Sequence, residues 1–171
     1  MLTIRSVTNA DIPKLDQFYA TLGKIDDPGY FQECLIRADN GERDFYLAVQ
    51  EGDIAGYVML VWRPLYPMFR RLEIPEIQDL NVGPCYRRQG IGTRLVEACE
   101  NAVFKKGKKD IGIAVGLPAS YGAAQRLYMK RGYVPDGAGA IYDGIPVNFG
   151  EMKPMDDLYV LKMVRSLSDP L

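Results

Sequence analysis

Histidine is missing from the 171 residues of the chain, and cysteine is scarce at three. The first absence removes the commonest general base, the histidine-dependent triads and most zinc sites. Chemistry is left to carboxylates, tyrosine, backbone amides or a bound cofactor, and no metal is expected. Cys34, Cys85 and Cys99 are odd in number and widely spaced, without metal or redox pairing, and read as reduced thiols. Excess charge of either sign is lacking too, with 21 Lys and Arg against 22 Asp and Glu. No overall field would hold such a chain on nucleic acid or an anionic membrane, so neither is expected as a partner. No apolar run approaches the length that spans a bilayer, and Met1-Leu2-Thr3-Ile4-Arg5 has no basic leader before an apolar stretch, so a cytoplasmic location is expected.

What is present suits a single domain over residues 1–171. Leu2-Thr3-Ile4-Arg5 alternates like a strand. Asn9 or Asp11 can then cap a helix carrying Ile12, Leu15, Phe18, Tyr19 and Leu22, which Gly23 ends. Asp26-Asp27-Pro28-Gly29 reads as a turn, with the aspartates as turn formers rather than a cation site, before a helix over 30–38. Residues 45–49 and 54–62 read as strands joined by a hairpin at Glu51-Gly52-Asp53. The proline- and arginine-bearing stretch 63–73 reads as a loop, followed by a strand over 74–82.

The clearest helix covers 91–106. A buried strand over 110–117 places Gly112, Ala114 and Gly116 on one face, where small residues let a neighbour pack closely. A helix over 120–130 stops at Gly132. Strand pieces follow at 133–134, 140–142 and 158–163, with a hairpin at Asp143-Gly144. The sum is a mixed α/β fold with a mostly antiparallel central sheet flanked by helices.

The most informative segment runs from Leu80 to Leu95: a strand, a basic glycine-bearing turn, then the best helix. Gly90 and Gly92 let the backbone curl with no Cβ in the way, so amides can gather at a helix N-terminus, where the dipole favours an anion. The spacing is not that of a P-loop, and the third glycine of a dinucleotide fingerprint is missing.

Arg87-Arg88-Gln89-Gly90-Ile91-Gly92 resembles the acetyl-CoA signature of the GNAT superfamily: Gln or Arg, two residues, Gly, one residue, Gly or Ala. Asp79-Leu80-Asn81-Val82, with Pro84 and Tyr86, looks like that family's fourth strand and its exit. Downstream, Leu127-Tyr128 followed by Gly132-Tyr133 resembles its Leu-Tyr, three residues, Gly, Phe or Tyr turn. The specific resemblance covers about residues 74–135.

That resemblance implies an N-acetyltransferase carrying acetyl from acetyl-CoA to a primary amine of a small molecule or peptide by direct attack on the thioester. A non-catalytic acyl-CoA sensor or scaffold of the same fold is the alternative, and a homodimer is left open. By resemblance, the cofactor-binding residues are Leu80, Asn81, Val82, Arg87, Arg88, Gln89, Gly90, Ile91, Gly92, Thr93, Tyr121 and Tyr128. Tyr121 stands where members often carry an Asn that contacts pantetheine, and Tyr128 stands at the general-acid tyrosine. An alkyl ammonium with a pKa of about 10.4 also needs a base or a water relay. Glu76 and Asp79 are the candidates, and Gln78 occupies the position where some members carry a Glu. Strand alternation places Glu76 and Asp79 on opposite faces, so one alone reaches the cleft unless a bulge intervenes.

Overall fold

The computed structural model describes residues 1–23 and 27–167; the expected turn residue Asp26 lies outside them. In chain order the elements are β1 (Leu2–Ser6), α1 (Ile12–Thr21), α2 (Tyr30–Asp39), β2 (Arg43–Gln50), β3 (Asp53–Val61), α3 (Pro67–Arg71) and β4 (Glu76–Val82). There follow α4 (Ile91–Lys105), β5 (Asp110–Gly116), α5 (Gly122–Lys130), β6 (Val134–Tyr142), β7 (Ile145–Pro146) and β8 (Tyr159–Ser166). The class is the mixed α/β one expected, with antiparallel hairpins and flanking helices. Two compact units contain these elements: Met1–Arg63 with Ile77–Ala102, and Pro64–Glu76 with Val103–Leu171.

In the first unit the strand order is β1-β2-β3-β4. The β2–β3 hairpin turns on Glu51 and Gly52, at φ +54° and +93°, the two left-handed residues that a two-residue turn needs to match the strand twist. On one face of the pair, Phe45 opposite Met59 and Leu47 opposite Tyr57 meet Leu15 and Phe18 of α1 and Phe31 and Leu35 of α2. Ahead of α1, the Asp11 carboxylate accepts from the Thr8 amide (2.8 Å), the Thr8 hydroxyl (2.7 Å) and both Arg5 terminal nitrogens (2.8 and 2.7 Å). This satisfies donors that a helix start leaves without partners. The α4 helix buries Ile91, Leu95, Val96 and Cys99.

In the second unit the order is β5-β8-β6-β7, all antiparallel. The small-residue face of β5 is filled by aromatic rings. A Cβ on Gly112 would fall 2.2 Å from the Phe69 ring, and one on Gly116 would fall 2.4 Å from that of Tyr121.

Two expectations are corrected here. The stretch read as a loop contains the one-turn helix α3: Pro67 sits in its first turn with φ already set, and buried Phe69 anchors it. Val134 of the first expected strand piece and the whole of the piece at 140–142 belong to the single strand β6, with Tyr133 just before it. Its pairing with β8 breaks between Pro135 and Ala140, where Gly137 and Gly139 are left-handed. Among the described residues no helix is long and apolar enough to cross a membrane.

Candidate active site

β4 leaves the first unit's sheet through a turn built to hold backbone close to backbone. The Gly83 amide donates to Ala55 O (3.0 Å), and a Cβ on Gly83 would strike Phe18 (2.9 Å) and Tyr86 (3.1 Å). A single 3₁₀ turn, Pro84–Tyr86, follows. Arg87 bends back so that its Nε donates to Val82 O (3.3 Å). Gln89 closes the turn, its Nε2 donating to Cys85 O (3.0 Å) while its Oε1 accepts from Gln50 Nε2 of β2 (3.2 Å). Arg88 and Gly90 are both left-handed, at φ +61° and +79°.

The Arg94 amide makes the first α4 bond, to Gly90 O (3.1 Å), so the amides of Ile91, Gly92 and Thr93 precede the helical ladder. A Cβ on Gly90 would meet nothing within 4 Å and would project into open space at the turn. These features fit a phosphate-bearing ligand: free helix-start amides, two left-handed residues and two exposed arginines. A cleft of about 480 Å³ opens beside the turn, lined by Lys14, Phe18, Ile54, Pro84, Cys85 and Tyr86, among others.

Asp79 lies inside β4 yet has φ +50°. A left-handed residue within a strand breaks the alternation expected for it. Its Oδ2 accepts from Tyr30 Oη (2.8 Å) and Tyr57 Oη (3.0 Å), and its Oδ1 accepts from Asn81 Nδ2 (2.7 Å). Burial, then the Asp79 charge, pushes both phenols well above the usual range, so they remain protonated donors. Tyr30, Tyr57 and Gly56 were missed in the sequence. A glycine inside the apolar run of β3 was the one available signal: a Cβ there would sit 2.6 Å from Asn81 O.

Glu76, in the second unit, has a different setting. It is 1% exposed and its Oε1 takes a 2.6 Å ion pair from Lys162 Nζ of β8. That ammonium also lies 5.0 Å from the centre of the Tyr66 ring.

The other two sequence candidates are also in the second unit. Tyr121 covers Gly116 and gives its hydroxyl to Asp157 (2.8 Å); burial and that carboxylate push the phenol up to about 12. Tyr128 is 5% exposed, packs 6.0 Å from Tyr133, and is pushed up by burial and then by Tyr121. Six tyrosines, at 30, 46, 57, 66, 121 and 142, donate to aspartates. Among the described residues, Tyr128 has no such carboxylate partner.

Comparison with known proteins follows the same lines. Solved structures share the fold at low identity. A ribosomal-protein-alanine N-acetyltransferase from Brucella melitensis is 20% identical with TM-score 0.72, covering 96% of this chain and 99% of its own. A GNAT-family acetyltransferase from Streptococcus pneumoniae is 21% identical with TM-score 0.71, covering 98% and 100%. YncA of Salmonella typhimurium, solved with its cofactor acetyl-CoA, is 17% identical with TM-score 0.70, covering 100% and 96%. No curated protein sequence matches the chain. The family model described as acetyltransferase (GNAT) matches residues 11–133, well over half of the length, and the chain therefore belongs to the GNAT acetyltransferase family.

Proposed function

We propose that the protein is an acetyl-CoA-dependent N-acetyltransferase acting on a primary amine of a small molecule or peptide. The observation that carries this reading is the turn at residues 87–93, where left-handed Arg88 and Gly90 stand at the start of α4 in the position of the acetyl-CoA signature. One family model runs through segments of both compact units, which supports reading them as one functional domain. Free thiols at Cys34, Cys85 and Cys99 suit a reducing cytoplasm.

When bound, acetyl-CoA supplies an activated acetyl thioester. The amides of Ile91, Gly92 and Thr93, with the arginines before them, are read as the pyrophosphate contacts. Amides of Leu80, Asn81 and Val82 are read as donors to the pantetheine arm and the thioester oxygen, where fixed dipoles stabilise developing charge. Tyr128 Oη carries the proton for the departing sulfur: burial keeps it protonated, and no carboxylate holds it elsewhere. Of the two candidate bases, Glu76 is committed to Lys162, so Asp79 is the one to accept the ammonium proton, through water.

Thermal unfolding with acetyl-CoA, followed by thiol release across polyamines, aminoglycosides, amino acids and N-terminal peptides, tests this. The ligand should raise Tm by mass action. Gly90→Val should lose that shift, read against its own unliganded Tm, which will be lower than wild type because a β-branched residue is strained at φ +79°. Tyr128→Phe should keep the shift and lose on the order of tenfold to a thousandfold in turnover. A shift without turnover on any amine would leave only a binding module.

A further inference from the structure

Five described non-glycine residues have left-handed backbone, and four of them, Glu51, Glu73, Arg88 and Asp143, sit in turns. Asp79 is the one inside a strand. An L-residue persists there only where its surroundings over-determine it.

The surroundings of Asp79 do so from three directions. Tyr57 is fully buried, and its ring is wedged edge-on against Phe18 (6.1 Å), Phe31 (5.2 Å) and Phe45 (6.1 Å), so its hydroxyl has one place to go. Tyr30, the first residue of α2, is stacked on Tyr19 (5.9 Å) and set against Phe31 (5.1 Å). Both hydroxyls converge on the same oxygen, Asp79 Oδ2. The Asn81 amide closes the loop locally, reaching Asp79 Oδ1 (2.7 Å), Asp79 O (3.1 Å) and Tyr57 Oη (3.0 Å). Gly56 of β3 completes the seat, since a Cβ there would overlap Asn81 O (2.6 Å) and press on Val82 Cα (3.4 Å).

We propose that Asp79, held by Tyr30 and Tyr57, is a positioning residue: its carboxylate fastens the left-handed break in β4 and thereby fixes the amides of Leu80, Asn81 and Val82. The aromatic core of the first unit thus reaches the acyl-donor contacts through one carboxylate. This role is separate from proton transfer, and only its last consequence, for acetyl-CoA, rests on the acetyltransferase reading.

Amide exchange and acetyl-CoA affinity separate the two roles, because neither measurement depends on a base. Asp79→Gly and Asp79→Ala both delete any base, so they should lose turnover alike. They differ in backbone: Ala must leave the left-handed region, whereas Gly can stay, though neither keeps the carboxylate. Asp79→Ala should therefore weaken acetyl-CoA by about tenfold and speed amide hydrogen exchange at residues 80–82 by a similar factor, the scale of an unsupported left-handed residue. Asp79→Gly can keep the left-handed backbone but has lost its fastening, so it should move both measurements the same way by a smaller factor, and Tyr57→Phe, which keeps the carboxylate and removes one donor, by a smaller factor still.

Wild-type exchange together with wild-type calorimetric acetyl-CoA affinity in Asp79→Gly and Tyr57→Phe would overturn the proposal. If the unaltered protein bound no acetyl-CoA, the acetyltransferase reading would fail instead. Exchange measured without ligand, in Asp79→Gly and Tyr57→Phe against the unaltered protein, would still decide the fastening role by itself.

Discussion

Glu76 and Asp79 are three residues apart on β4, and their carboxylates are kept by opposite means. Glu76 is shut away from water and neutralised by a full positive charge on Lys162. Asp79 is half-buried and held by neutral donors, two phenols and an amide. A buried ion pair fixes an acid firmly, but leaves it little chemistry to offer a third party. An acid that is only half-buried is still reached by water, and with it by a cation or a proton. The difference teaches that carboxylates on one strand are set apart by what faces them, not by residue type.

The sharpest way to break the contrast is Lys162→Met, which leaves Glu76 buried without its cation. Loss of one partner of a buried pair costs about 3–5 kcal/mol, and urea unfolding should show a loss of that order. Adding Glu76→Gln in the same chain should recover much of it, because the uncompensated charge is then gone. Recovery in the double variant marks electrostatics as the cause; no recovery would point to lost packing of the Lys162 stem over Tyr66.

A kinetic contrast comes next in size. Asp79→Asn should reduce turnover most near neutral pH, with a deficit that shrinks as pH rises toward the acceptor's pKa of about 10.4, where the amine arrives already neutral. Glu76→Gln should lower stability and leave the shape of the pH profile unchanged. A deficit in Asp79→Asn that is uniform across pH would assign the residue to fastening alone.

The smallest effect is expected at a third carboxylate, Asp11, whose partner Arg5 is 42% exposed in its side chain. Hydrogen bonds from Arg5 chiefly, and then from Thr8, outweigh burial and hold Asp11 well below the ordinary carboxylate range. A depressed folded pKa gives stability that is complete above the unfolded value near 4 and is lost as pH falls below it. Solvent screening limits the contribution, so Arg5→Ala should cost under about 1 kcal/mol at pH 7 and progressively less below pH 4. Denaturant midpoints across pH 3–7 would check both the size and the sign.

Much of this architecture was legible in the residues. The 3.6-residue pattern of Ile91, Leu95 and Cys99 gave α4 to within one residue, and Glu51-Gly52 gave the hairpin because its backbone demands are local. The small face of β5 announced that something would press on it, though not that the something was Phe69 and Tyr121. What could not be read was long-range. Tyr30 and Tyr57 look like ordinary core aromatics, and nothing local ties them to an aspartate 49 and 22 residues away. The break at Asp79 was invisible for the same reason: a single carboxylate in a strand gives no sign of left-handed backbone until its donors are in place. Proline and arginine in the 63–73 stretch likewise hid α3, whose anchor Phe69 is buried by strands far along the chain.

The six tyrosine–aspartate bonds carry a consequence for how the protein exchanges protons with its surroundings. Every phenol among them is moved upward, as are the buried thiols of Cys34 and Cys99, while Asp11 and Glu151 are moved downward. All of these shifts lead away from neutrality, and with no histidine in the chain the side chain that ordinarily titrates between pH 5 and 8 is absent. None of these shifted groups is therefore moved into the range in which a cell varies. If the proposed reaction holds, rate changes across that range would owe nothing to these tyrosines and buried thiols, and would point instead to the acceptor and the groups that meet it.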